Sequence, residues 1–400
     1  MNRIQSGMPA LNECTDNLIV HLTLAPYDKR EQRRLGIELF QQHDYSVYVW
    51  DLSEIMCPLI TKGNGYTEGI GHDSCYRQFN NKKAVLAAID QLPEKCMIIS
   101  WVGLSSKTYS IFRAISARKI RYVIFGSNSL PLVSRNKTIL NKLRKLDYRK
   151  ILDSLFARIP LGLLKVKSAY MVLLDGQEAI NKRFNLTDCK TKRLWLHTLD
   201  YDVYLELKEE VNKSNNNNCV FLDDYLPYHP DFIMMNEKPP VESRQYYSDL
   251  ESFFSHVEDR LGVTVVIAAH PRSNYTDKPH AYKNRKVIYG ATAQLVRDSC
   301  FVIAHASTAI NYAVLFKKPI VFIKTNELDL HICGAHIETM ASCFNKKTIN
   351  VSCDCAVDWR RELIVDQIAY NNYLRNYIKK DETIQKPFWK IFIDEINNAP

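Results

Sequence analysis

The sequence predicts an α/β protein made of two Rossmann-like domains that face each other across a cleft. Three observations lead there. The chain has 400 residues, too many for one ordinary core and suited to two domains of roughly 150 to 200 residues each. Its first half alternates short apolar runs with amphipathic stretches, the pattern of a parallel sheet wrapped by helices. The polar stretch Asn215 to Asn218 cannot pack, and the same alternation restarts directly after it at Cys219. The boundary is expected between about Asp200 and Asn218, giving an N-terminal domain over 1–205 and a C-terminal domain over 206–400.

Asn17 to Leu24 reads as the first strand. Asp28 and Glu31 form a capping box, and Leu35, Leu39 and Phe40 share one face of the helix that follows. Ser46 to Trp50 is a second strand, Lys83 to Gln91 a helix, Cys96 to Val102 a buried strand, Tyr109 to Ala117 a helix and Arg121 to Phe125 a strand. Ala169 to Leu174 adds another strand, ended by the turn signal Asp175-Gly176. In the second half, strands are expected at Cys219–Leu222, Val263–Ala269, Phe301–Ala304 and Pro319–Ile323. Helices are expected at Ser243–Leu261, Ala291–Asp298 and Thr308–Phe316, the last stopped before Lys318-Pro319. The tail from Glu362 to Ile396 has a helical pattern and aromatic residues with which to dock onto the body.

Composition narrows the class. With 46% hydrophobic and 24% charged residues the chain resembles neither a disordered nor a fibrous protein. Met1 to Asp16 lacks a basic head followed by an apolar core, and the longest apolar runs, such as Val263 to Ala269, fall far short of a membrane span. A cytoplasmic location is therefore expected, with the eleven cysteines reduced. Cys353 and Cys355 make a Cys-x-Cys pair, but no second pair stands at zinc-ligand spacing. A net charge of +9 points to anionic partners, and the absence of an RNA-binding or helix-turn-helix signature puts nucleic acid last among them. Residues 135–167 are dense in Lys and Arg with apolar residues interleaved. Such a stretch either contacts an anionic inner-membrane surface peripherally or is an ordinary helix with a solvated basic face.

Ligands of open parallel sheets bind at the carboxyl ends of the strands. Asp223 and Asp224 follow one predicted strand, His270 another and His305 a third, with Ser307 and Thr308 opening the next helix. A helix start carrying two hydroxyls can cradle a phosphate, although most such residues are simply caps. His270-Pro271-Arg272 adds a donor and a cation to the same crevice, and Tyr289 with Gly290 completes the expected donor-binding set. One of Asp223 and Asp224 is read as a general base. Adjacent residues of an extended chain point to opposite sides, so only one can serve, and the sequence leaves the choice open. Asp200-Tyr201-Asp202 lies away from these strand ends and is not read as a metal site; no cofactor is expected.

The ordered series Phe221-Leu222-Asp223-Asp224-Tyr225, Ala269-His270-Pro271-Arg272 and His305-Ala306-Ser307-Thr308, followed by Lys318-Pro319-Ile320, resembles bacterial sialyltransferases, polysialyltransferases and related transferases of Kdo, legionaminic or pseudaminic acid. The resemblance spans about 100 residues, from Cys219 to Ile323. It implies a GT-B fold, a CMP-activated acidic sugar as donor, inversion at the anomeric carbon and no metal. It further implies that the acidic pair supplies the base, that His270 contacts the CMP phosphate, and that Ser307 and Thr308 hold phosphate or sugar carboxylate. The chain departs from the pattern in having Tyr225 where those families usually have Gly. The acceptor expected on this reading is a glycan or lipid-linked glycan of capsule or lipopolysaccharide. The competing readings are a CDP-glycerol or CDP-ribitol polyol-phosphate transferase, a sugar-nucleotide 2-epimerase, and a non-catalytic glycan-binding or scaffold protein.

Overall fold

The structure is a computed structural model that describes residues 17–24, 27–56, 74–128, 130–131, 133, 156, 158–182, 184–210, 217–235, 237–278, 280–353 and 356–398. Most of the basic segment 135–167, the N-terminal stretch Met1–Asp16 and Cys355 lie outside these residues.

Two parallel sheets carry the molecule. The first contains β1 (Leu18–Thr23), β2 (Ser46–Asp51), β3 (Tyr76–Gln78), β4 (Met97–Ser100), β5 (Arg121–Phe125), β6 (Met171–Leu174) and β7 (Lys192–Trp195), in the order β3-β2-β1-β4-β5-β6-β7. The second contains β8 (Asn218–Leu222), β9 (Thr264–Ala268), β10 (Val287–Ile288), β11 (Val302–Ala304), β12 (Ile320–Lys324) and β13 (Ile349–Asn350), in the order β10-β9-β8-β11-β12-β13. Each order reverses beside the first strand of its unit, at β1/β4 and β8/β11, and that switch point is where a doubly wound sheet opens a crevice. The nine expected strands are all present, and the four that apolar patterning missed are β3, β7, β10 and β13. These four are the outermost strands of the two sheets. They have two to four residues and are half-exposed or exposed, so they carry no continuous apolar run.

The central strands are buried on both faces: Leu18–Thr23 and Met171–Leu174 expose no residue. In the second unit the helix Ser243–Leu261 lays Tyr246, Leu250, Phe254 and Val257 against Phe221, Val265, Ile267 and Ile303. Its spacing of three and four residues is the apolar stripe expected from sequence.

The tail ties the two units together. Trp359 sits in the second core beside Phe253 and Phe301. The chain then passes Gly176 of the first unit, where a Cβ would stand 2.2 Å from the Asn376 carbonyl oxygen. Gly176 is thus required by the close approach of the tail. The final helix, Phe388–Asn397, returns wholly to the first unit and buries Phe388, Trp389, Ile391, Phe392 and Ile393 there, about 1.5–3 kcal/mol for each side chain. Two Rossmann-like units facing across a cleft, with a C-terminal helix recrossing to the first, constitute the GT-B architecture.

Gly36 is the seat of that returning helix. Its φ is +68°, and a Cβ there would meet the Trp389 ring at 2.2 Å. Gly36→Ala should therefore lower stability by roughly 2–4 kcal/mol, from left-handed strain plus overpacking. Gly262 has nearly the same φ, +64°, with nothing within 4 Å of a Cβ, so Gly262→Ala should cost only about 1 kcal/mol. Denaturant unfolding of the two variants checks the difference.

Candidate active site

β8 ends at Leu222, and the two carboxylates that follow diverge. Asp223 turns into the second unit and is buried. Its Oδ1 accepts from the Tyr225 N–H at 2.8 Å and the Tyr282 hydroxyl at 2.9 Å. Its Oδ2 accepts from the Tyr275 hydroxyl at 2.6 Å and the His270 N–H at 3.2 Å. Burial raises the Asp223 pKa, and these four donors oppose the rise. Tyr225, standing where the resembled families have Gly, takes the left-handed φ of +52° that Gly adopts freely. A tyrosine bears about 1–2 kcal/mol of strain there, offset by its N–H bond to Asp223 and by its hydroxyl donating to the Asn274 carbonyl at 3.0 Å.

Asp224 turns the other way, toward the cleft. It lines a cavity of about 230 Å³ bounded by Leu130 and Pro131 of the first unit and by Leu226, His305, Ala306, Cys333, His336, Ile337 and Met340 of the second. Burial, with the charge of Asp223 behind it, pushes its carboxyl up to about 7, while the Ser307 hydroxyl and the Ala306 N–H favour the ionised form. A carboxyl held there exchanges protons near neutral pH, which is the requirement for a general base.

His270 leaves β9 on one side of β8. Its Nδ1 accepts from the Arg272 N–H at 3.2 Å, and its Nε2 lies 3.4 Å from the Nε2 of His229. Burial lowers the His270 pKa to about 3, helped by His229, Arg272 and Arg30, so the ring is neutral. Arg272 pairs with Asp231 at 3.1 Å. Arg30 belongs to the first unit, in the helix Lys29–Arg34 that follows β1, and its field reaches His270 across the cleft. His229 was not anticipated from the sequence, although His229-Pro230 repeats the His-Pro dipeptide of His270-Pro271 and could have marked it.

Ser307 and Thr308 lie on the other side of β8, after β11, so they do not meet His270 at one point. The helix expected from Thr308 begins at Ile310, since a tight turn precedes it in which the Ile310 N–H donates to the Ser307 carbonyl at 3.2 Å. Ser307 Oγ accepts from the Ala309 N–H at 3.3 Å and donates to Asp224, which makes it both a turn cap and an orienter of the carboxylate. Thr308 is exposed beside it. His305, expected among the donor-binding residues, has neither ring nitrogen to spare. Its Nδ1 bonds the Ile323 carbonyl at 2.7 Å, its Nε2 the Tyr246 hydroxyl at 2.9 Å, and the ring packs edge-on against Phe221. Pro271 follows His270 in the turn after β9, while Tyr289 and Gly290 follow β10 at the sheet edge, both exposed. The Asp-x-Asp residues serve two different contacts: Asp200 accepts from Asn311 Nδ2 at 2.9 Å, and Asp202 accepts from the Phe388 N–H at 2.8 Å. Among the described residues no group of three or more His, Cys, Asp or Glu is arranged to hold a metal, and no helix is long and apolar enough to cross a membrane.

No protein-family model and no curated protein sequence matches this chain. Solved structures with a similar chain path include the UDP-GlcNAc 2-epimerase of Methanocaldococcus jannaschii, at 11% identity and TM-score 0.45 over 96% of this chain and 100% of that one. Acinetobacter baumannii MurG is similar at 10% identity and TM-score 0.44, over 96% of this chain and 100% of that one. The glycosyltransferase SnogD of Streptomyces nogalater is similar at 11% identity and TM-score 0.47, over 96% and 99%. Likenesses this distant carry no argument about chemistry, and the fold rests on the strand orders above.

The two carboxylates should separate cleanly in stability. Asp223→Ala strips the acceptor from two tyrosine hydroxyls and two N–H groups, and is expected to cost about 3–5 kcal/mol. Asp224→Asn should change stability by less than about 1 kcal/mol, because it removes a carboxyl whose ionised form burial already disfavours. Urea unfolding of the two variants reads the contrast.

Proposed function

We propose that the chain is an inverting glycosyltransferase that moves an acidic sugar, sialic-acid-like or Kdo, from a CMP-activated donor to a glycan acceptor of capsule or lipopolysaccharide. The observation that carries the reading is Asp224, a carboxylate with a pKa of about 7 that opens into the cavity between the two units.

In the proposed reaction Asp224 takes the proton of the acceptor hydroxyl, whose oxygen attacks the anomeric carbon of the donor. The bond from that carbon to the phosphate oxygen breaks as the new bond forms, and the configuration inverts. The electron pair leaves on the CMP phosphate. His270, neutral because its pKa lies near 3, stabilises that oxyanion by donating a hydrogen bond and does not supply a proton. Arg272 and Arg30 contribute positive potential at the same place. Ser307 orients Asp224, and Thr308, Tyr289 and Gly290 are read as contacts to the rest of the donor. The ordered motif series after β8, β9 and β11 supports the choice of an acidic-sugar donor.

A thermal-shift series with CMP, CDP, UDP and GDP tests the donor class, and CMP alone is expected to raise the melting point. A response to another nucleotide in its place rejects the CMP reading. Asp224→Asn should lower kcat by roughly 10²–10⁴ with donor affinity retained. The wild-type rate should rise with pH through about 7 as Asp224 loses its proton, and the rising limb should vanish in the variant's residual activity. Activity should persist in EDTA. Conversion of the donor's sugar in the absence of any acceptor would identify an epimerase instead, and polyol-phosphate transfer from CDP-glycerol would identify a polyol-phosphate transferase.

A further inference from the structure

His229 and His270 come from different loops, after β8 and after β9, yet their Nε2 atoms are 3.4 Å apart and their ring centroids 4.7 Å apart at 65°. Each ring is turned by the same local device. The N–H two residues on donates to Nδ1: Asp231 N–H to His229 and Arg272 N–H to His270, both at 3.2 Å. A nitrogen that accepts a hydrogen bond bears no proton, so in each neutral ring the proton must sit on Nε2. The two Nε2–H groups then point at one another as two donors without an acceptor. They cannot satisfy each other, and both rings are half-buried. The guanidinium groups of Arg272 and Arg30 keep the surroundings positive.

We infer that His229 and His270 form a twin N–H clamp for a phosphate oxyanion, with His229 a phosphate-binding residue in its own right. The inference rests on the reading of His270 as the ligand of the donor phosphate and adds a second donor to it. An oxygen lone pair between the rings satisfies both protons at once, and the phosphate group presents several such oxygens. A metal ion would need bare Nε2 lone pairs, hence the opposite tautomers, whose Nδ1–H groups would face the backbone N–H groups of Asp231 and Arg272. Asp231 holds Arg272 beside the clamp at 3.1 Å through one oxygen, while its other oxygen stands 3.7 Å from His229 Nδ1, beyond hydrogen-bond reach.

Two measurements test the clamp. Nitrogen-15 spectra of the histidine rings in the full chain should show both residues as Nε2–H tautomers, with both Nε2 signals shifting on addition of CMP and of inorganic phosphate. Calorimetry should show His229→Ala weakening CMP binding about ten- to a hundredfold, and His229→Gln, whose amide N–H reaches a similar place, retaining it within about threefold. Cytidine, lacking the phosphate, should bind wild type and both variants equally. The clamp is overturned by an Nδ1–H tautomer on either ring, by equal weakening of CMP and cytidine, by zinc binding to the Nε2 atoms, or by anions that leave both signals unmoved. Failure of the CMP reading looks different: UMP or GMP, with inorganic phosphate, would engage both rings while CMP showed no preference.

Discussion

The carboxylate of Asp223 is the constraint on which the site depends. One buried anion collects donors from three separate segments: the backbone just after β8 at Tyr225, the turn after β9 at His270, and the tyrosine hydroxyls of residues 275 and 282. Buried charge is tolerated only when such donors surround it. The arrangement therefore locks the loops together. Because the bond to His270 runs through its N–H, the backbone is fixed where the imidazole must leave the strand.

The same anion sorts the chemistry to the two sides of β8. Asp223 is spent on structure, and by its charge it raises the carboxyl of its neighbour, Asp224. On the β9 side lie donors and cations suited to an oxyanion; on the β11 side Ser307 holds a carboxylate that titrates near neutrality. On the proposed reading a leaving group and an attacking hydroxyl need different surroundings, and neighbouring strands, about 5 Å apart, would supply them. The first unit contributes to both halves, Arg30 adding positive potential at His270 and Leu130 and Pro131 lining the cavity at Asp224. Beyond Ser307, Asp200 accepts from Asn311, and the Tyr373 hydroxyl of the tail donates to the same Asn311 at 3.4 Å.

Most of the fold was legible in the sequence, for a definable reason. A strand buried on both faces, such as Cys219–Leu222, writes itself as an apolar run, whereas the outermost strands such as Lys192–Trp195 keep water on one side and write nothing distinctive. The site was legible in part. Strand-end placement found Asp223, Asp224, His270 and Ser307, and period-two geometry required the two carboxylates to diverge, but which of them met the cleft depended on Tyr275 and Tyr282, about fifty to sixty residues away. His305 shows the converse: a strand end is also where a histidine can cap packing, and its bond to Tyr246 in the long helix is invisible in sequence. His229-Pro230 repeats the His270-Pro271 dipeptide and was legible, but its pairing with His270 showed only once β8 and β9 were side by side.

On this proposal one crevice holds a phosphate on the imidazole side of β8 and a sugar on the Asp224 side. A crystal structure of the chain with CMP bound tests it most directly. Phosphate oxygens should lie within hydrogen-bond reach of the His270 Nε2, with the cavity at Asp224 open beyond them for the two sugars. A CMP phosphate bound on another surface, or an Asp224 carboxylate sealed from the bound nucleotide's side of the cleft, would contradict it.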